Sequence, residues 1–84
     1  MTEQQKQHGA TLRAIRLACE PPMRQGALAK RLGVPNSCIS QIETGQRRLT
    51  VHMLRAAADV LATVSRMTTE EIVLAVVLGR EVTA

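Results

Sequence analysis

Residues 25–42 restrict the fold of this chain most, because they contain two short apolar repeats separated by one glycine. The repeats have the three- or four-residue spacing of one helix face, and they consist of Leu28, Ala29 and Leu32, then Ile39 and Ile42. Gly33 lies between them, where a helix end commonly needs a left-handed residue. The small side chain of Ala29 permits close approach of the second helix. The pattern predicts helices over residues 25–32 and 36–43 that cross steeply through a tight turn.

The rest of the chain predicts three more helices and shows no alternating strand pattern. One runs from about Ala10 to Cys19 and ends at two prolines. Another is capped by Thr50 and has apolar residues at helical spacing. The last begins at Thr68, which forms a Thr-x-x-Glu capping box with Glu71 ahead of seven consecutive apolar residues. We therefore expect an all-α domain of five helices.

The chain has 84 residues and room for one domain, which at this size buries only about 60 to 65% of its unfolded surface. We assign the domain to residues 10–84 and the polar residues 1–9 to a flexible N-terminal arm. No secretory signal precedes the two cysteines, so disulfides are not expected. No apolar run reaches the roughly 20 residues of a membrane helix, and we expect a cytoplasmic protein. Pairing with a second copy would supply the missing stability.

Positive charge is concentrated in the first part of the chain, whose net charge is +4. Residues 1–48 contain eight basic and three acidic residues, whereas residues 49–84 contain three basic and four acidic residues. This division indicates one surface that faces a polyanion and another that packs or pairs. Because the chain contains no Phe, Tyr or Trp, it lacks the aromatic platforms on which proteins commonly stack single-stranded bases.

The helix over residues 36–43 has a polar, uncharged outer face. Its side chains carry hydrogen-bond donors and acceptors without a charge that would bind phosphate indiscriminately, and they are Asn36, Ser37, Ser40 and Gln41. The steep crossing makes this face project from the protein, so that it can enter a DNA major groove.

These segments also carry a resemblance. From Thr11 to Leu61, the strings LRAIRLAC, QGALAKRLGVPNSCISQIETGQRR and TVHMLRAAADVL resemble the Cro and C1 repressor-type (XRE-like) helix-turn-helix family. The resemblance implies a five-helix, lambda-repressor-like domain that usually binds a two-fold operator in double-stranded DNA as a dimer. It also implies a role mainly in transcriptional repression.

The resemblance assigns roles to individual residues. Asn36, Ser37 and Gln41 match positions that contact base edges. The residues that it places at the DNA backbone are Gln25, Arg47 and Arg48, and we expect Arg24 and Ser40 to contact the backbone as well. Arg16 and Glu43 match positions that pair between the first and third helices, and an arginine fork can hold a carboxylate bidentately. Arg24 and Pro35 depart from the family pattern, because each occupies a helix cap where a capping side chain is usual.

The final apolar run predicts self-association. Residues 72–78 cover every side of a helix, but a helix at the edge of so small a domain turns only part of its surface inward. We expect a homodimer built on the helix over residues 68–79, with an interface of Ile72, Val73, Val76 and Val77. The alternative is an antitoxin-type module that binds a partner protein through this part of the chain and autoregulates its operon.

Catalysis and metal binding are not predicted. The side chains of Cys19, Cys38, His8 and His52 lack the short ligand spacing of zinc sites. No nucleophile, base and oxyanion group converge, and no glycine-rich phosphate loop is present. We therefore expect no metal, no cofactor and no enzymatic activity.

Overall fold

Five α-helices follow one another through residues 2–79, the part of the chain that this computed structural model describes. They are α1 (Glu3–Ala18), α2 (Gln25–Leu32), α3 (Asn36–Glu43), α4 (Val51–Ala62) and α5 (Thr69–Leu78). No strand occurs among these residues, and none of the helices is long and apolar enough to cross a membrane. The predicted all-α architecture of five helices is confirmed.

α1 begins earlier than the sequence analysis predicts. The side chain of Thr2 caps the helix by accepting a hydrogen bond from the backbone nitrogen of Gln5, and Glu3 lies in the first turn, where the helix dipole favours an acidic residue. The predicted start near Ala10 is therefore wrong, and so is the flexible arm for residues 3–9, which form the first two turns of α1. Met1 lies outside the described residues.

Two glycines let the start of α1 pack against the end of α3. A Cβ atom added at Gly9 would collide with the carbonyl oxygen of Ile42, so α1 can approach α3 this closely only with glycine there. Gly45 follows α3 with φ of +84°, and a Cβ added to it would lie 2.8 Å from Cγ of Lys6. The polar residues at the start of the chain thus brace the turn that follows α3.

The turn between α2 and α3 has the geometry that its sequence predicts. Gly33 adopts a left-handed conformation with φ of +70° and caps α2 through its backbone N–H. The backbone nitrogen of Val34 also donates to the carbonyl oxygen of Ala29 at 3.0 Å. Pro35 then begins α3 without any side-chain cap. Local backbone bonds therefore close the turn between the two short helices.

Every helix contributes to one aliphatic core. Its largest fully buried side chains are Leu12, Ile15, Cys19, Leu28, Ile39, Ile42, Leu61, Ile72 and Val76. α5 packs against both α1 and α4, and α2 and α3 pack against each other. The helix pair of α2 and α3 thus packs on the rest of the domain, with α3 against α1 and α2 against α4.

α5 turns one apolar face inward and leaves another exposed. Its predicted capping box is present, since Thr68 and Glu71 each accept a bond from the other's backbone nitrogen. Ile72 and Val76 are completely buried within the chain, so the prediction that they lie in a subunit interface is wrong. The physical reason is that this small domain needs them, at i and i+4, to close its own core against α1 and α4. Val73 is half-buried and Val77 exposed.

Candidate nucleic-acid interface

The polar face of α3 is open at its start and partly covered at its end. Asn36 and Ser37 are exposed in the first turn, whereas Ser40 and Gln41 are half-buried. Ile39 and Ile42 point into the core from the opposite face. Because no side chain caps the first turn of α3, Asn36 and Ser37 keep their side-chain donors and acceptors available for a ligand.

A buried ion pair fixes α3 to α1. Nε of Arg16 donates to Oε2 of Glu43 at 2.7 Å, and Nη2 donates to Oε1 at 2.9 Å. Only 6% of the Arg16 side chain and 1% of the Glu43 side chain are exposed. Nη1 of Arg16 also donates to the carbonyl oxygen of Met23 at 2.6 Å. One guanidinium group therefore connects α1, the link that precedes α2 and the last turn of α3.

Gln25 joins the same buried network. Its Nε2 donates to Oε1 of Glu43 at 2.9 Å, so the first residue of α2 is bonded to the last residue of α3. Gln25 was expected at a DNA phosphate, and its contact with Glu43 was not predicted, because the two residues are 18 positions apart and meet only through the packing of α2 on α3. The second N–H of the amide is left for another acceptor.

The loop after α3 folds back onto Gln41. The carbonyl oxygen of Gln41 accepts hydrogen bonds from the backbone nitrogens of Gln46 at 2.8 Å and Arg47 at 3.1 Å. It also accepts a bond from Oγ1 of Thr44 at 3.2 Å. In addition, Nε of Arg47 donates to the side-chain oxygen Oε1 of Gln41 at 3.0 Å. This last contact was not predicted, because nothing in the loop sequence specifies the direction of its arginine side chains.

The predicted backbone-binding arginines are exposed around α3. Arg24 is the residue before α2 and makes no capping bond with its side chain, and Arg47 and Arg48 follow α3. Since Gln25 bonds to Glu43 and Arg47 bonds to Gln41, the start of α2 and the loop after α3 both adjoin the last turn of α3. The structure therefore brings the Arg47 side chain to the polar residues of α3.

The cysteines belong to the packing rather than to this face. Both are free, and Cys19 is buried, with its Sγ donating to the carbonyl oxygen of Ile15 at 3.4 Å. Burial raises the pKa of the Cys19 thiol, although the nearby charge of Arg16 acts in the opposite direction. Across residues 2–79, no three His, Cys, Asp or Glu side chains are grouped so that they would hold a metal ion.

Comparison with known protein families decides the identity of the domain. The model of a family described as a helix-turn-helix domain matches residues 7–72, which include α2, α3, α4 and most of α1. This chain belongs to the helix-turn-helix domain family. The resemblance found in the sequence is confirmed at that level. Neither the curated proteins nor the solved structures contain a significant match to the chain.

Proposed function

We propose that this helix-turn-helix protein is a transcriptional regulator that binds double-stranded DNA in a sequence-specific manner, and that it represses transcription as a homodimer. The observation that carries the proposal is the uncharged face of α3, with Asn36 and Ser37 exposed, in a domain of this family. Side-chain amides and hydroxyls of this kind suit the donors and acceptors of base edges in the major groove.

The surrounding residues suit contacts with the DNA backbone. Arg24, Arg47 and Arg48 are exposed cations beside α3, and arginine binds phosphate oxygens without discriminating between bases. The free N–H of Gln25 and the hydroxyl of Ser40 are additional donors for phosphate. These contacts would set the position of α3 on the duplex, while Asn36 and Ser37 distinguish its bases.

An exposed apolar stripe on α5 supports the dimer. Leu74, Val77 and Leu78 are 48%, 52% and 56% exposed, and their i, i+3 and i+4 spacing aligns them on one side of the helix. A second copy would cover the stripe and place two α3 helices on one duplex. Two-fold dimers of this kind contact half-sites about 34 Å apart.

The same stripe favours one alternative function. An antitoxin-type protein would use Leu74, Val77 and Leu78 to bind a different protein, and it would repress its own operon through α3. Co-expression with the product of a neighbouring gene distinguishes the two proposals. A stable complex with that product, in which the homodimer is absent, would favour the antitoxin.

The test of DNA binding begins with selection of duplexes from a random pool by the wild-type protein. Asn36→Ala should reduce discrimination at one base pair by about 1 to 3 kcal/mol, because a base-specific bond is lost. Arg48→Ala should weaken binding to selected and random duplexes alike and lower the salt slope by about one. Electrophoretic or fluorescence titrations at several salt concentrations measure both effects.

The salt dependence of the wild type is a further part of this test. A dimer that contacts about six phosphates should show a slope of log K against log salt near −5. Affinity that hardly changes with salt would contradict the proposal, and so would a selection that enriches no sequence. If Asn36→Ala weakened binding to selected and random duplexes equally, as Arg48→Ala is expected to do, Asn36 would not distinguish bases.

A further inference from the structure

We infer that Arg47 is a positioning residue for base recognition, which holds the side-chain amide of Gln41 so that its nitrogen donates to guanine in the major groove. This inference rests on the proposed function and deepens it, because it assigns one base contact and the residue that orients it. Arg47 was expected only at the DNA backbone. Its bond to Gln41 gives it a second role.

The chemistry of the two side chains determines the orientation of the amide. Nε of Arg47 lies 3.0 Å from Oε1 of Gln41, and a guanidinium group has only donors. If the amide were flipped, its own NH2 donors would face the donors of Arg47, and the hydrogen bond would be lost. The contact with Arg47 therefore forms only when the amide oxygen of Gln41 faces the loop and the amide nitrogen Nε2 faces away from it.

The loop backbone keeps Arg47 close to Gln41. The backbone nitrogens of Gln46 and Arg47 both donate to the carbonyl oxygen of Gln41, which anchors the loop at the same residue that the Arg47 side chain contacts. Gly45, which is buried and has φ of +84°, packs against Lys6 of α1. The loop is thus held from both sides, by α3 and by the first turns of α1.

The fixed orientation of the Gln41 amide determines which base it can contact. One lone pair of the Gln41 oxygen is occupied, and both N–H groups of Nε2 are free to donate. Guanine is the base whose major-groove edge offers two acceptors, N7 and O6, and no donor. The adjacent positive charge of Arg47 favours the same edge, and the remaining N–H groups of its guanidinium are left for a phosphate. Gln41 oriented by Arg47 is therefore matched to guanine.

The experiment uses the duplex that the wild-type protein selects from a random pool. The base pair at which Gln41→Ala loses discrimination identifies the contact, and 7-deazaguanine at that position removes the N7 acceptor. We expect the modified base to weaken wild-type binding about tenfold, which corresponds to about 1.4 kcal/mol. Arg47→Met has a side chain of similar length but no donor for the Gln41 oxygen, so it should lose most of this tenfold effect. Arg48→Met is the matched control and should retain it.

A second measurement needs no DNA. Hydrogen exchange of the arginine Nε–H groups, followed by NMR on the free protein, should be slower for Arg47 than for Arg48. Equal exchange rates would show that the contact with Gln41 does not form, and they would overturn the inference. The inference would also be overturned if the losses of Arg47→Met and Gln41→Ala added independently in the double variant. It would likewise be overturned if Arg47→Met responded to 7-deazaguanine like the wild type.

Failure of the proposed function gives a different result. A wild-type protein that enriches no duplex would remove the function and this inference together, whatever the exchange rates are. A wild type that selects a duplex, with a contact at Gln41 that is insensitive to Arg47→Met, would remove the inference alone. Thermal unfolding of Arg47→Met and Arg48→Met should stay close to the wild type, because Arg47 and Arg48 are exposed.

Discussion

At the scale of single residues, the most consequential interaction is the buried group formed by Arg16, Gln25 and Glu43. A buried ion pair often contributes little more stability than apolar residues of the same volume would, but the loss of one partner leaves an uncompensated charge. No side-chain nitrogen or oxygen buried within residues 2–79 lacks a hydrogen-bond partner. The network therefore specifies where α3 lies relative to α1 and α2.

Removal of one partner should show this dependence. Arg16→Met or Glu43→Leu alone should lower the free energy of unfolding by about 3 to 5 kcal/mol, and the double variant should lose clearly less than the sum. Urea denaturation measures all three values. The exposed pair of Lys6 and Glu3, at 3.8 Å, is the control, and Glu3→Gln should lower the free energy of unfolding by no more than about 1 kcal/mol, because solvent screens both the ion pair and the interaction of Glu3 with the helix dipole. Additive losses for the buried pair would contradict the network.

At the scale of elements, the close approach of α1 to α3 depends on a glycine inside a helix. Glycine in a helix interior costs about 1 kcal/mol relative to alanine, so its presence at Gly9 requires a compensating gain. That gain is the contact with the backbone of Ile42, which an added Cβ would prevent. The same contact brings the first turns of α1 against the end of α3.

Two glycine substitutions separate helix propensity from packing. Gly9→Ala should destabilise the protein by about 1 to 3 kcal/mol, because the collision forces α1 and α3 apart. Gly26→Ala is the matched control: a Cβ at that position of α2 meets nothing within 4 Å, so this variant should gain up to about 1 kcal/mol. Thermal and urea unfolding measure both. If Gly9→Ala were as stabilising as Gly26→Ala, α1 would not approach α3 at this point.

At the scale of the whole molecule, the arginines proposed to bind the DNA backbone and the exposed apolar stripe lie on different parts of the chain. Arg24 precedes α2, and Arg47 and Arg48 follow α3. The exposed apolar stripe lies on α5. The proposed dimer, formed through α5, would therefore leave both α3 helices free for DNA. Because Val76 is completely buried, it is unsuitable for a test of association, and the exposed residue Val77 is the better choice.

Val77→Glu should abolish the dimer while the helices remain folded. A charge placed in an apolar contact between two chains is costly unless it is paired, so sedimentation at micromolar concentration should give a monomer. Val51→Glu is the control, because Val51 is an apolar residue of α4 that is 80% exposed and does not belong to the stripe, and this variant should stay dimeric. A monomeric wild type, or a dimeric Val77→Glu variant, would contradict the proposed interface.

The sequence by itself determined the short-range features of this protein. Each of these features rests on bonds between residues three to five positions apart, which any chain with those residues can form locally. They include the left-handed end of α2 at Gly33 and the caps of α4 and α5 at Thr50 and Thr68. Apolar spacing likewise predicted the bounds of α2 and α3, because helix periodicity is a local property.

Only the tertiary structure decided what distant residues do to each other. Ile72 and Val76 lie in a run of seven apolar residues, and the positions of α1 and α4 select which of the seven are buried. The first turns of α1 have a polar sequence, and their packing becomes evident only where Gly9 meets Ile42. The same holds for the bond between Gln25 and Glu43. Burial and pairing depend on which helix faces cross, and this is a property of the assembled core rather than of any one segment.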